Sequence, residues 1–275
     1  MLINLKQILD AAVQGGYAVP GFNVYNMETV MGVIAAAEEE NSPVIIQCYS
    51  RLFANEEGYY LAPVILAAAE KASVPVCFHL DHGASELETT RALRYGCTGI
   101  MIDASALPFE ENIALTKRVT ETAAYAGVSS EGELGHIGTV NDGGMSEFTD
   151  PGEAAEFVKK TGVAALAIMV GTAHGRYKQP PKLDIERIGT IREAAKIPLV
   201  LHGGSGIDDA QIRAAIAAGI RKVNFGTDIC YSFLDAVFAT SRDKIAIDMF
   251  MKDAVQAVKA FAAEKIRLLD SEGKA

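Results

Sequence analysis

The feature that most constrains this chain is a rhythm. Eight short apolar runs alternate with longer stretches whose apolar residues recur at helical spacing. The runs are Tyr17–Asn23, Pro43–Gln47, Val76–Asp81, Gly99–Asp103, Val128–Glu133, Ala165–Val170, Leu199–His202 and Lys222–Phe225. Continuous apolar runs of this length suit strands buried on both faces, and the periodicity of Thr29–Glu40 and Pro151–Thr161 suits amphipathic helices. Asp150-Pro151 reads as an N-cap followed by proline at the first helical position. Strand–helix alternation implies βαβ units and a parallel sheet. Eight such units, with no Ser/Pro/Gly-rich linker between them, predict closure into a (β/α)8 TIM barrel, one domain spanning 1–275.

The bulk properties narrow the function. Hydrophobic residues make up 49% of the chain, enough for a sizeable core. The formal net charge of −10 argues against a nucleic-acid or anionic-membrane partner, since those favour basic surfaces. An anionic small molecule stays open, because one site can be positive in an acidic protein. Cys48, Cys77, Cys97 and Cys230 are scattered and form no CxxC pair, so they read as buried thiols in a reducing compartment. The N-terminal MLINLKQILDAAVQGG reads as an amphipathic helix rather than a signal peptide. No window offers the roughly 18 consecutive apolar residues of a membrane span. A cytoplasmic location is expected.

In such a barrel the chemistry sits at the C-terminal ends of the strands. The polar residues at those ends are Asn23, Tyr49 or Ser50, Asp81 with His82, Asp103, Glu133, His174, His202, and Asn224 with Asp228. His82, His174 and His202 fall at or just beyond the ends of the third, sixth and seventh strands, each followed by glycine. Three imidazoles converging from different strands with a fourth position open form a catalytic zinc arrangement. His79 is given a structural or supporting role, and His136, in the polar stretch Gly135–Phe148, is left without one. Asp81, beside a metal-bound sugar, could move a proton to or from a hydroxyl. Asp103 and Glu133 could bind a second metal position, the same metal when it moves, or loop backbone.

A phosphate signal is independent of the metal signal. Gly203-Gly204-Ser205-Gly206 follows the seventh strand, and Asn224-Phe225-Gly226-Thr227-Asp228 ends the eighth. The loops after these strands are the habitual phosphate site of such barrels, built from backbone N–H groups and a helix N-terminus.

Taken together, GFNV at 21–24, HLDHG at 79–83, MIDAS at 101–105, GELG at 132–135, GTAHG at 171–175, LVLHGGSGI at 199–207 and NFGTD at 224–228 resemble the class II fructose-bisphosphate/tagatose-bisphosphate aldolase family, in the family's order and through most of the chain. The resemblance implies zinc on His82, His174 and His202, Asp81 as the proton carrier at the C4 hydroxyl, and Asp103 and Glu133 at a second metal position. It implies that dihydroxyacetone phosphate contacts Gly175, Gly203, Gly204, Ser205, Asn224, Phe225, Gly226 and Thr227. A sodium or potassium ion near the phosphate is also implied, as is a homodimer or homotetramer. Asn23 joins the expected substrate contacts. The implied reaction is reversible retro-aldol cleavage of a ketose 1-phosphate or 1,6-bisphosphate, through a zinc-stabilised enediolate, to dihydroxyacetone phosphate and an aldehyde.

Two departures bear on the substrate. The loop after GELG reads HIGTVNDGGMSEFTDP and lacks the carboxylate pair of many relatives, leaving Asp142 and Glu147 as candidates for the acid at C3. No motif assigns the cation for a distal phosphate, although Arg51, Arg176 and Lys178 stand near strand ends. A sugar acceptor other than that of a bisphosphate is therefore the alternative substrate. A zinc hydrolase on the same barrel and a non-catalytic subunit are the competing functions. A Schiff-base mechanism would need a lysine at a strand end, and none stands isolated there.

Overall fold

The computed structural model describes residues 1–139, 148–175, 177 and 181–275. Its eight strands are β1 (Val19–Asn23), β2 (Val44–Tyr49), β3 (Val76–Gly83), β4 (Gly99–Ile102), β5 (Ser129–Leu134), β6 (Ala165–Ile168), β7 (Leu199–Leu201) and β8 (Ile220–Phe225). They run parallel in sequence order, and β1 pairs with β8 (Val19 with Lys222, Gly21 with Asn224) to close the barrel. The expected (β/α)8 barrel is the observed fold.

Side chains alternate across each strand, and this period of two sorts the sequence into layers. Phe22, Ile46, Phe78, Leu80, Ile100, Leu166, Leu201 and Val223 point outward and pack beneath the surrounding helices. Val19, Ile45, Cys77, Met101, Ala165, Ala167 and Val200 point inward at the lower end. There they meet Leu5, Ile8, Leu9 and Ala12 of α1 (Leu5–Gly15), which plugs the bottom of the barrel. The expected N-terminal amphipathic helix thus has a sealing task. Asn4 caps its start in a reciprocal pair with Gln7, and Gly16 ends it at φ 71°. Burial of Leu5, Ile8 and Leu9 contributes about 1.5–3 kcal/mol each, which holds a short helix in place.

Above the apolar plug the inward residues become polar: Gln47, His79, Glu131 and Lys222 are fully buried. Nearest the mouth come Asn23, Asp81, Glu133, His202 and Asn224. The barrel interior is therefore apolar below and polar above.

Several strand boundaries differ from the sequence reading, whereas the helix expected over Pro151–Thr161 has those bounds. β6 stops at Ile168 rather than Val170, because the Met169 N–H donates to Thr149 Oγ1 and its carbonyl accepts from Thr149 N, in the segment that enters the next helix. The helix after Asp150 spans Pro151–Thr161, and Asp150 Oδ1 accepts from the N–H groups of Gly152 and Glu153 at 2.8 and 3.1 Å. The C-terminal helix spans Lys252–Leu268, and the tail beyond it is tied down: Gly273 and Ala275 donate to the carbonyls of Glu40 and Asn41. Cys48, Cys77 and Cys97 are buried free thiols and Cys230 is half-buried. Among the described residues no helix is long and apolar enough to cross a membrane.

Candidate active site and metal centre

Asp81 and His82 are consecutive, so a regular strand would aim them at opposite faces of the sheet. The β3–β4 register shifts between Leu80 and Gly83, and His82 takes a left-handed backbone with φ 52°. This kink sends both side chains to the barrel mouth. Such a conformation is costly for a non-glycine residue and is held by its surroundings. Gly83 is required beside it: a Cβ there would lie 2.5 Å from the Met101 carbonyl oxygen.

The three predicted histidines converge. Among the described residues, one nitrogen from each of His82, His174 and His202 lies within 4.8 Å of the others. Their orientations are set from behind. The Lys222 ammonium, 2.7 Å from Glu131, fixes that carboxylate as an acceptor, so His202 Nε2, at 2.8 Å, donates to it. His82 Nδ1 likewise donates to Asp103 at 2.7 Å. The remaining nitrogens, His202 Nδ1 and His82 Nε2, face one another at 2.8 Å, and two lone pairs at that distance require a proton or a cation between them. Among the described residues, buried His174 Nε2 and Glu133 Oε2 have no hydrogen-bond partner. These unpartnered atoms and converging imidazoles fit a zinc-type metal ion.

The electrostatics agree. Burial would lower the His82 pKa, but Asp81, Asp103 and Glu133 raise it to about 10, so the metal-free site carries its proton there. Burial, then the charge of His82, depresses His174 to about 4 and holds His202 well below the ordinary histidine value. Burial, then neighbouring Asp103, pushes Glu133 up to about 8. Asp81 resists its own burial: His82, His202, Lys222 and the Asn23 amide together hold its carboxyl below the usual range. Asn23 Nδ2 donates to one oxygen at 2.8 Å and Asn224 Nδ2 to the other at 3.2 Å. Asp103 and Glu133 share a second cluster with His82 among the described residues. Ser105 Oγ lies 2.7 and 2.9 Å from their respective carboxylates and 3.0 Å from His136 Nδ1.

A cavity of about 350 Å³ opens above these groups. It is lined by Asn23, Asp81, His82, Asp103, His174, Gly175, Gly203, Ser205, Asn224, Gly226 and Thr227. Most residues expected at the site are therefore together. Among the described residues expected at the site, Glu133 and His202 lie fully buried beneath the cavity, and Gly204 and Phe225 do not line it either. The alternation of β8 sends Phe225 outward, where its ring packs 5.8 Å from Phe22 and 6.1 Å from Phe261, so only its backbone is available to a ligand. The loops after β7 and β8 are joined by Gly204 N donating to the Asn224 carbonyl at 3.0 Å. Gly203, at φ 66°, lies so close to the Ala173 carbonyl that a side chain could not fit. Gly226 precedes the helix Thr227–Ala239, whose first turn faces the cavity. Asp142, Glu147, Arg176 and Lys178 lie outside the described residues.

The model of the family "Fructose-bisphosphate aldolase class-II" matches residues 3–274. The chain belongs to that family. Members are generally metal-dependent aldolases, in keeping with the histidine cluster. The chain is 41% identical over its full length to YdjI, described as an uncharacterized protein of Escherichia coli (strain K12), and covers all of it. It is 40% identical to a fructose-bisphosphate aldolase of Geobacillus stearothermophilus, over 100% of this chain and 99% of that one. The crystal structure of the YdjI aldolase superposes over both full chains with a TM-score of 0.91 at 40% identity.

For this family member, sequence reasoning passed over Glu131 and Lys222, whose charges are buried directly beneath the histidines. Strand parity was the available signal: each stands two residues before a residue expected at the site, Glu133 or Asn224. The Lys222 ammonium is fully buried and committed to Glu131 at 2.7 Å, which disfavours it as a Schiff-base nucleophile. Tyr25, Ile137 and Thr139 are further lining residues not anticipated, and His136, left without a role, lines the cavity as well.

Proposed function

We propose that this protein is a zinc-dependent aldolase of the aldehyde-lyase type. Its reaction is reversible cleavage of a ketose 1-phosphate or 1,6-bisphosphate, of fructose- or tagatose-bisphosphate type, to dihydroxyacetone phosphate and an aldehyde. The observation that carries this reading is the 2.8 Å approach of His82 Nε2 to His202 Nδ1, beside the unpartnered His174 Nε2 and the carboxylate of Asp81.

Zinc held by His82, His174 and His202 supplies a Lewis acid for the substrate's carbonyl. The remaining steps belong to the chain. Asp81 is kept ionised and oriented by the amides of Asn23 and Asn224. It accepts the C4 hydroxyl proton while the C3–C4 electron pair stays on C3. Asp142 or Glu147 returns a proton to C3, and condensation reverses these transfers. Asp103 and Glu133 serve a second metal position that shares His82. Gly175, Gly203, Ser205, Gly226 and Thr227, with the backbone of Gly204 and Phe225, hold the phosphate by N–H groups and the helix N-terminus. A sodium or potassium ion near that phosphate follows from the family resemblance.

Free thiols and the net charge of −10 support a cytoplasmic enzyme without nucleic-acid or membrane partners. Tyr231, Leu234, Phe238, Ile245, Ile247 and Met249 are exposed large apolar side chains within one stretch of the sequence, which supports a homodimer or homotetramer. The deciding experiment offers fructose 1,6-bisphosphate, tagatose 1,6-bisphosphate and their 1-phosphates to metal-stripped and Zn2+-reconstituted protein. Metal-dependent release of dihydroxyacetone phosphate is expected, and cleavage that persists after complete metal removal refutes the zinc assignment.

A further inference from the structure

Tyr177 lies three residues beyond His174, and its hydroxyl is committed to backbone groups. The oxygen accepts from the Ala173 N–H at 2.7 Å. Its proton is directed at two carbonyls, that of Ala173 at 2.7 Å and that of Gly203 at 3.1 Å. One hydroxyl thus holds both peptide groups of Ala173 and reaches from the loop after β6 to the loop after β7. The pairing of those two strands ends with Ala167 and Val200, below these contacts.

The peptide between Ala173 and His174 is the one from which a histidine of the metal cluster departs. Its carbonyl is held by Tyr177, and its N–H donates to the Gly138 carbonyl at 2.9 Å. A peptide group is planar, so holding both of its sides fixes the direction in which the His174 side chain leaves. The other two imidazoles are set by carboxylates: His82 by Asp103 and His202 by Glu131. Among the described residues His174 Nε2 has no such partner. His174 is therefore the histidine of the cluster that is aimed through its backbone.

The far side of the Tyr177 contact is the glycine turn after β7. Gly203 has φ 66°, and a Cβ on it would lie 2.4 Å from the Ala173 carbonyl oxygen and 3.2 Å from the Tyr177 hydroxyl. A Cβ on Gly206 would lie 3.4 Å from Tyr177 Cδ2. The tyrosine therefore lies along the whole turn. The turn is also joined to the loop after β8, by Gly204 N donating to the Asn224 carbonyl at 3.0 Å and Asp228 N to Ser205 Oγ at 3.2 Å. Packing this close leaves no slack, so a shift of the turn is passed through the Tyr177 hydroxyl to the peptide that launches His174.

We propose that Tyr177 couples the two halves of the site, so that a phosphate seated on the loops after β7 and β8 and a metal bound at His174 strengthen one another. This rests on the aldolase reading above and adds a linkage between its two ions. Whatever the phosphate adds to metal affinity, the metal adds to phosphate affinity. Tyr177 is a positioning residue, since its hydroxyl acts through backbone.

The test measures Zn2+ affinity by chelator competition with and without saturating methyl phosphate, and methyl phosphate affinity by calorimetry with and without Zn2+. Methyl phosphate has no carbonyl or hydroxyl with which to chelate the metal as a sugar phosphate does. Attraction between the cation and the anion contributes to the coupling in every variant. The deciding quantity is therefore the change on Tyr177→Phe, which keeps the ring and removes the hydroxyl. The unaltered protein is expected to show a coupling factor of about 10 or more, the same from both directions. Tyr177→Phe is expected to lower that factor about 3- to 10-fold, as loss of a hydrogen bond between the loops would. A merely structural role would weaken one or both affinities and leave the factor unchanged. That result overturns the inference while leaving the aldolase reading standing. No binding of methyl phosphate to the Zn2+-loaded protein overturns the phosphate assignment and the inference together.

Discussion

The Glu131 carboxylate meets His202 Nε2 at 2.8 Å in a fully buried setting, and its other oxygen receives the Lys222 ammonium at 2.7 Å. The carboxylate selects the His202 tautomer whose Nδ1 faces the open side, and the lysine offsets the buried negative charge. Removing a carboxylate behind a metal-ligating histidine typically costs about 10- to 100-fold in metal affinity. Glu131→Gln should therefore bind Zn2+ more weakly by that margin, as measured by competition with a chelator. Lys222→Met leaves Glu131 uncompensated and should destabilise the metal-free protein by about 3–5 kcal/mol in denaturant unfolding. The double variant should recover part of that loss. A double variant no more stable than Lys222→Met alone would show that the residues do not act as a pair.

Asp81 is held by two amide donors and kept ionised. Asp81→Asn retains the shape but cannot take a proton. Turnover should fall about 10²- to 10⁴-fold while metal content stays near that of the unaltered protein. Atomic absorption alongside steady-state cleavage assays separates the two effects. Near-normal kcat would remove Asp81 from the proton transfer.

Metal uptake should depend on pH with a definite sign. In the metal-free protein His82 titrates at about 10 and Glu133 at about 8, both raised, so both hold protons at neutral pH. A metal on these residues must displace them. Apparent Zn2+ affinity should therefore rise from pH 6 to pH 8, with release of about one to two protons per metal. Calorimetry in buffers of different ionisation enthalpy counts them. Affinity that is flat across this window would exclude His82 and Glu133 as the groups displaced.

Most of the fold was legible because its signals are local. Strand parity and turn chemistry run through contiguous residues, and Asp150-Pro151 began a helix as its chemistry required. The meeting of His82, His174 and His202 was legible once eight parallel strands were assumed, since each then ends at one mouth. What stayed hidden depends on register and orientation. Phe225 stands in a motif at the mouth, yet its parity with Val223 turns its ring into the outer core. Glu131 and Lys222 lie 91 positions apart in sequence and pair only because β5 and β8 project inward at the same level. The left-handed turn at His82 is a tertiary effect, set by the shift in pairing between β3 and β4.

That turn yields the last prediction. Gly83 pairs with Ile102 where the β3–β4 register resumes, and a Cβ at this position would lie 2.5 Å from the Met101 carbonyl oxygen and 2.8 Å from Leu80 Cδ2. The carbonyl belongs to the backbone of a central strand and cannot move as a flexible side chain would. Gly83→Ala should therefore force the two strands apart, costing about 1–3 kcal/mol as overpacking does. The neighbouring His82 would be displaced with it, since its φ of 52° is held by this pairing. Zinc affinity should fall together with stability. A contrasting variant, Gly189→Ala, sits in a helix where an added Cβ meets nothing within 4 Å, and it should leave both unchanged or slightly improved. Equal behaviour of the two variants in metal titration and unfolding would show that the bulge does not aim His82.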